Sequence, residues 1–512
     1  MRFLLPRRFT IFLLLMVGMI VGIVACQSED QGDVPTLIPI AQLPLATVRA
    51  TAVPATATQT LPPTPDHSPT PGPSPTASNT PTRTPVPTNT PVPSATPTSR
   101  PQFAPTLVVS EPIVREGVST PATAVPTPVA TFEVPPGTTN VLLLGADEPL
   151  GEGNQKSDTI LIVSINRDGP TASMISIPRD LYVYLPGRTM AKITTASQVG
   201  GVELLKQTIL YNFGIPIHYY ARVDFEGFKN VIDVMDGVDI AVSCEFRDWR
   251  IKSPELDVED PDNWEIYTLE PAVYHMDGDL ALWYARSRLL SSDFDRGRRQ
   301  QQLLRAILNE GVDLGLITQV PTLWNTYQNN VETDMDIGRI LQLATLAPDI
   351  RANGVQNLYL AGKTIGWSVP TEDGGALAAH LPIWEGPGMM EETFARLFRP
   401  PALSRANRAP ITVEIINASG NPDMAVLAAD TLAWYGFAPV ISDEQPESTE
   451  NVATTLTYYG PNFKGSYDWL ISWVTNMSQA DIVLNSEESS AYNYQLILGA
   501  DYNPCVNQLY AP

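Results

Sequence analysis

From residue 140 onward short apolar runs alternate with turn-forming clusters, a spacing that predicts strands joined by tight loops. "NVLLLGAD" (140–147) is a continuous apolar run closing on Gly145, the pattern of a buried strand. The turn-rich "LGEGN" and then "KSDTILIVSIN" (156–166) follow, predicting a second strand. After "RDGPT" a third strand is predicted in "ASMISIPRD" (172–180), stopped by Pro178. Loops this short favour antiparallel neighbours. In such a meander the first strand leaves at one edge with Asp147, the second enters there with Asp158, and the third returns to it with Arg179. Two carboxylates and an arginine therefore meet at one rim, with Lys156 beside them.

Further along the period changes. "GGVELLKQTILYNFGI" (200–215) is a helical pattern, "HYYARVD" a strand, and "FEGFKNVIDVMDGV" a helix whose Phe225, Phe228, Ile232 and Met235 form an apolar stripe suited to a core. "LWYARSR" (282–288) reads as extended, which puts Arg286 and Arg288 on one face by the two-residue period. In a helix they would stand about 200° apart. "DRGRRQQQLLRAILNEG" (295–311) reads as a helix, with Ser292, Asp293 or Asp295 as its cap and Gly311 as its stop. Leu303, Leu304, Ile307 and Leu308 make its buried stripe; Arg296 and Gln300 lie on that stripe and Arg299 on its border. Arg298 and Arg305 fall on the opposite side, toward water. An inward-facing arginine is costly unless an anion meets it, and a helix N-terminus favours the same anion.

Charge sharpens this picture. The 512 residues hold 32 Lys plus Arg against 55 Asp plus Glu, a net charge of −23. Yet residues 284–302 alone hold five arginines and three glutamines. Asp293 and Asp295 could neutralise some of these in an internal ion-pair network, but two carboxylates do not balance so many guanidinium groups. An acidic chain is a poor nucleic-acid binder, and four scattered histidines with no zinc-like Cys/His spacing argue against a histidine or zinc site.

The N-terminal part has another character. Arg2, Arg7 and Arg8 precede the apolar "FTIFLLLMVGMIVGIVAC" (9–26), and Glu29 and Asp30 follow it. That order favours an inside N-terminus and a chain outside the membrane. "IVAC" resembles a lipoprotein processing box, with Cys26 as the lipid anchor; an uncleaved signal anchor is the alternative. Residues 31–140 carry 25 of the 48 prolines, mixed with Thr, Ala and Ser. Such a disordered, polyproline-II-like linker would reach on the order of 300 Å if extended. The other cysteines, Cys244 and Cys505, are expected as two unrelated buried thiols.

Two carboxylates at a rim with several arginines suit phosphoryl chemistry. Magnesium keeps few protein ligands, favours oxygen and bridges to phosphates. Arginines neutralise and orient phosphate oxygens. Phosphoryl transfer needs mostly positioning and charge stabilisation of this kind.

The ordered motifs "NVLLLGAD", "KSDTILIVSINRDG", "MISIPRDLYV", "GIPIHYYARVDFEGF", "YARSR" and "DFDRGRRQQQ" resemble the LytR–CpsA–Psr family over about residues 138–360. The resemblance implies an extracytoplasmic, membrane-anchored enzyme with an α/β/α sandwich around a central mixed sheet. Such an enzyme moves a glycopolymer from a polyprenyl-pyrophosphate carrier to peptidoglycan or another wall acceptor, with Mg2+. By the same resemblance Asp147 and Asp158 would be the metal ligands. Arg179, Arg286, Arg288, Arg296 and Gln300 would hold the pyrophosphate as the catalytic set, with Lys156 and Arg299 as further contacts. Lys156 stands where the family usually has Arg, and Thr194 where Asn is common. A pyrophosphatase on the same site, or a non-catalytic lipid-pyrophosphate binder in keeping with the family's older description as transcriptional attenuators, are the alternatives. Residues 410–505 resemble the small α/β C-terminal domain of some members, so the expected order is anchor 1–26, linker 27–137, catalytic domain 138–360, connecting segment 361–409 and C-terminal domain 410–505.

Overall fold

A computed structural model of the protein describes residues 124–505, apart from 148, 151–155, 290, 371–374, 402–408, 444–451, 461–464 and 487–489. It also describes two-residue strands at 108–109, 114–115 and 118–119. The segment around Cys26 and most of the linker lie outside the described residues. Among the described residues no helix is long and apolar enough to cross a membrane.

The three predicted strands form as β1 (Thr138–Ala146), β2 (Ser157–Asn166) and β3 (Thr171–Ser176), an antiparallel meander. Next come α1 (Thr194–Phe213), β4 (Tyr219–Val223), α2 (Phe225–Val234), α3 (Gly278–Arg286), α4 (Asp293–Asp313), β5 (Val331–Thr333) and β6 (Val355–Leu358). The sheet runs β5–β4–β1–β2–β3–β6 and is mixed, because β4 joins β1, and β6 joins β3, in parallel. Both of its faces are covered, which is why its middle strands read as unbroken apolar runs. Leu142, Ile160, Ile162 and Ile175 pack toward Leu205, Ile209 and Phe213 of α1. On the opposite face α4 crosses β3, where Ser176 Oγ donates to the carbonyl of Gly297 at 3.2 Å. The result is an α/β/α sandwich.

Its limits are wider than the sequence suggests. Val129 and Phe132 already belong to its core, so folded structure starts before residue 138. Residues 361–409, expected as a connector, contribute a hairpin (Thr364–Pro370 with Ala376–Pro382) and the helix Met390–Arg396. Trp384, Met390, Phe394 and Leu397 are buried in the same core as α1, so apolar side chains here override the Pro/Gly-rich composition.

The C-terminal domain comprises β7 (Thr412–Asn417), α5 (Asp423–Trp434), β8 (Ala438–Ile441), β9 (Thr455–Tyr458), α6 (Asp468–Thr475), β10 (Val483–Leu484) and β11 (Tyr494–Leu498). Its five-stranded sheet, ordered β8–β7–β11–β9–β10, has its own core of Val413, Ile415, Leu432, Ile471 and Leu496. Three ties hold it to the sandwich. Cys244 and Cys505 form a disulfide across 261 residues. This corrects the expectation of two unrelated buried thiols: Cys244 is half-buried and Cys505 exposed. The Val273 N–H donates to Asp423 at 3.2 Å, and Arg305 bonds Asp430 while covering the Trp434 ring at 4.7 Å. Arg305 therefore faces the second domain rather than water.

Candidate functional site

The meander delivers its charged residues to one rim, as the short loops require. Ala146 lies opposite Ser157, with an irregular register at Gly145. A Cβ on Gly145 would stand 3.1 Å from Thr159, a tight contact that would make the Thr159 side chain give way. Asp147 is exposed at the end of β1. The half-exposed Asp158 accepts from Arg179 Nη1 at 2.9 Å. Burial works against the charge on Arg179, but Asp158, Asp293 and Asp180 outweigh it and hold the guanidinium above its ordinary value.

Arg286 and Arg288 reach the site by a different route from the one expected. Residues 278–286 are helical, not extended: Asp277 caps α3 by accepting from the Leu280 N–H, and Ala281, Tyr284 and Ala285 bury its inner side. Arg286 is the last helical residue and Ser287 is extended, so the change of backbone turns Arg288 back toward the same cavity. The Arg286 guanidinium lies 4.0 Å over the Phe225 ring. Phe225 thus leaves the apolar stripe to line the cavity, while Ile232 and Met235 stay in the core and Phe228 packs against it. Burial lowers the Arg286 pKa, opposed by Asp147 and Asp158. Arg288 Nη1 stands 3.3 Å from Asp293.

Helix α4 brings the rest. Ser292 is its cap, in a reciprocal capping box with Asp295, which leaves Asp293 free to turn inward. Asp293 is the hub of the arginines: one oxygen is 3.3 Å from Arg288 and 3.5 Å from Arg296, the other 3.7 Å from Arg179. Arg296 is only 6% exposed and donates to the Asp158 carbonyl at 3.1 Å. Its pKa is lowered by burial first, with Asp293 opposing and Arg179 and Arg288 adding to the shift. Gln300 donates to Thr159 Oγ1 at 2.9 Å, Gln301 to Ser176 Oγ at 3.0 Å, and Gln302 to the Ala241 carbonyl at 2.8 Å. The three consecutive glutamines thus fasten the helix to three different places. The helix continues past Gly311 to Asp313, and Leu304, Ile307 and Leu308 are half-buried, with only Leu303 fully enclosed.

Two expected contacts lie elsewhere. Arg299 is buried beneath the chain turn that follows α3, donating to the carbonyls of Tyr284 (2.8 Å) and Ser287 and to Ser291 Oγ (3.2 Å), with its guanidinium 4.4 Å over Phe246. It is a structural strut, because its position on the border of the helix is covered by residues the periodicity does not reveal. Lys156 is exposed at the entry to β2 and is not part of the cavity wall.

Arg286, Arg288, Arg296 and Gln300 border a cavity of about 500 Å³, together with Asp158 and Thr159. Its other wall carries Phe225, Leu282, Trp283 and, from the hairpin Phe246–Ile251/Trp264–Leu269, Trp249, Ile251 and Trp264, with the cations Arg250 and Lys252 among them. That hairpin was not legible as part of a site; the only signal is the alternation in "FRDWRI". Its buried Asp248 accepts the N–H groups of both Arg288 and Leu289, the latter at 3.0 Å, and so fixes the turn that carries Arg288. For a metal, Asp147 and Asp158 are the carboxylates at the rim, and among the described residues no three acidic, His or Cys side chains converge. An oxygen-only pair would suit magnesium, which keeps few protein ligands.

The cavity thus sets cationic side chains beside aromatic ones. The chain belongs to the LytR_cpsA_psr family, whose match covers residues 119–374, half of its length. It is 35% identical over 222 residues to the polyisoprenyl-teichoic acid–peptidoglycan teichoic acid transferase TagU of Oceanobacillus iheyensis, covering 42% of this chain and 64% of that protein. It is 31% identical over 227 residues to the TagT enzyme of Bacillus subtilis with the same activity name, covering 44% and 67% respectively. The matched part is thus less than two thirds of the TagU relative. The crystal structure of B. subtilis TagV aligns with 51% of this chain and 95% of its own at 26% identity and a TM-score of 0.41.

Proposed function

We propose that the protein moves a glycopolymer, as a phosphate ester, from a polyprenyl-pyrophosphate carrier to a hydroxyl of a cell-wall acceptor such as peptidoglycan. The acceptor oxygen bonds to the glycan-linked phosphorus and gives up its proton to solvent, while the bond from that phosphorus to the bridging oxygen breaks and its electron pair leaves with polyprenyl phosphate. The observation that carries this reading is Arg286: it lines the cavity on an aromatic face and makes no ion pair with a carboxylate among the described residues. Arg288 and Arg296 share the single Asp293 carboxylate beside it. A diphosphate supplies the missing negative charge, and the neighbouring Trp249, Ile251 and Trp264 suit the first isoprene units. The names of the relatives support the same donor and acceptor.

In this proposal Arg286, Arg288 and Arg296 orient the diphosphate and take up the charge that grows on the departing phosphate. Gln300, held by Thr159, offers its amide at the same wall. Arg179 positions the Asp158 carboxylate rather than touching the substrate. Asp147 and Asp158 would hold Mg2+, which would supply positive charge to the diphosphate when bound. The N-terminal segment would tether the chain to the extracytoplasmic face of the membrane, in keeping with a disulfide, which persists in oxidising compartments.

The test supplies the purified chain with a polyprenyl-pyrophosphate glycan and Mg2+, with and without peptidoglycan, and measures polyprenyl phosphate. Acceptor-dependent release that is lost in Arg286→Ala is expected. Release indifferent to acceptor would replace the transferase by a pyrophosphatase, and lipid binding without release would make the protein a binder.

A further inference from the structure

The small domain rests against the outer edge of the central sheet and leaves a second cavity there, of about 130 Å³. Edge strand β6, the helix Met390–Arg396, α5 and α6 enclose it, and it shares no residue with the arginine cavity. Three features of its wall have no part in the transfer reaction.

Lys363 and Arg396 both line it, and neither belongs to an ion pair among the described residues. Burial pulls the Lys363 ammonium below its ordinary value, the nearby Arg396 guanidinium adds to this, and Glu392 only partly opposes it. Arg396 is lowered by burial too, against the pull of Glu392. Two cations sharing a half-buried space with only the Glu392 carboxylate acting on both is an arrangement that a further anion would relieve.

Asn357 provides the second feature. Leu358 beside it points into the sandwich core, so by strand alternation Asn357 faces the small domain. Its amide nitrogen and oxygen are both buried, and neither has a hydrogen-bond partner among the described residues. A buried amide left unpaired costs about 1–3 kcal/mol, so a donor-and-acceptor ligand is the natural complement.

The third feature is aromatic. Tyr359, Trp434, Tyr435, Tyr467 and Trp469 line the cavity, with the Tyr359 and Trp434 rings parallel to within 5° and Trp469 45% exposed. Flat apolar faces, an amide and paired cations form a donor set for a hydroxylated ring that carries a negative group.

We propose that this interdomain cavity binds an acidic glycan: a sugar ring bearing a carboxylate or a phosphate. The anion lies between Lys363 and Arg396, hydroxyls reach Asn357, and the C–H face of the ring covers an aromatic side chain. The site stands whether or not the chain is a transferase.

The experiment uses the full 512-residue chain carrying Arg286→Ala, which silences the arginine cavity. Calorimetric titrations compare a glucuronate tetrasaccharide, N-acetylglucosamine 6-phosphate, a neutral N-acetylglucosamine tetrasaccharide and inorganic phosphate. At least one acidic sugar should bind tenfold or more tighter than both the neutral sugar and inorganic phosphate. Adding Lys363→Gln or Trp469→Ala should weaken it at least tenfold. If Lys363→Gln lowers the melting temperature, Trp469→Ala, at a half-exposed ring, decides alone. The proposal falls if neither acidic sugar binds, if the neutral sugar binds equally, if phosphate alone binds as tightly, or if the deciding variant leaves affinity unchanged.

Discussion

The guanidinium of Arg286 lies 4.0 Å over the ring of Phe225. A cation held on an aromatic face keeps its donors for a ligand, whereas the carboxylate-bound Arg179 does not. Arg286→Ala should lower polyprenyl phosphate release by about 100-fold or more, the usual effect of removing a transition-state donor. It should leave the melting temperature unchanged, since Arg286 is exposed and makes no ion pair with a carboxylate among the described residues. Phe225→Leu, which keeps the bulk and loses the ring face, should cost between about twofold and thirtyfold in release. A lower melting temperature for Arg286→Ala would show that the arginine is structural.

Arg299 should behave in the opposite way. Its hydrogen bonds to Tyr284, Ser287 and Ser291 hold the turn that leads from α3 to α4, and burial draws its pKa down to about 10. Arg299→Met keeps the volume and breaks those bonds. A loss of about 2–5 kcal/mol is expected in urea unfolding, with or without ligand.

Gly297 sets how closely α4 approaches the sheet. A Cβ there would stand 2.7 Å from Ser176 Cβ, closer than real contacts allow. Gly297→Ala should therefore push the first turn of α4 outward, at a cost of about 1–3 kcal/mol. Arg296 and Gln300 ride on that turn, so release should fall more than the stability loss alone explains. Thermal denaturation and release assays on one preparation would separate the two effects.

His218 makes a pH signature. Its Nδ1 accepts from the Asn140 N–H at 2.9 Å, so the folded protein holds the ring neutral there, and burial, then Arg167, lower its pKa below 6.5. The unfolded chain binds that proton more readily. The contribution to stability is thus complete above about pH 6.5 and is lost as pH falls toward the lower folded value. Wild type should lose more melting temperature than His218→Gln between pH 7.5 and 5.5. An identical loss in both would remove this assignment.

The β1–β2–β3 meander and its rim were legible because short loops and unbroken apolar runs leave the chain one route. Asp158, Arg179 and the inward turn of Arg296 follow from that route and from helical period. Arg286 and Arg288 line one cavity, but not through the expected extended backbone: "LWYARSR" alternates like a strand, whereas the Asp277 cap and the buried Ala281 and Ala285 commit it to helix. Arg299, Lys156 and Asp248 depended on which segments lie over them, and sequence period carries no such long-range information. The same holds for Cys244 and Cys505, whose pairing is decided by how two domains dock.

That bond has a consequence for how the molecule withstands proteolysis. Cys244 stands just before the hairpin that walls the arginine cavity, and Cys505 follows the last strand of the small domain. A protease that cuts the backbone once anywhere between them leaves two fragments still covalently joined, with the hairpin and the small domain on the same clasp. Only a reductant acting after the cut would let them part, so a single nick marks the molecule without dismantling it.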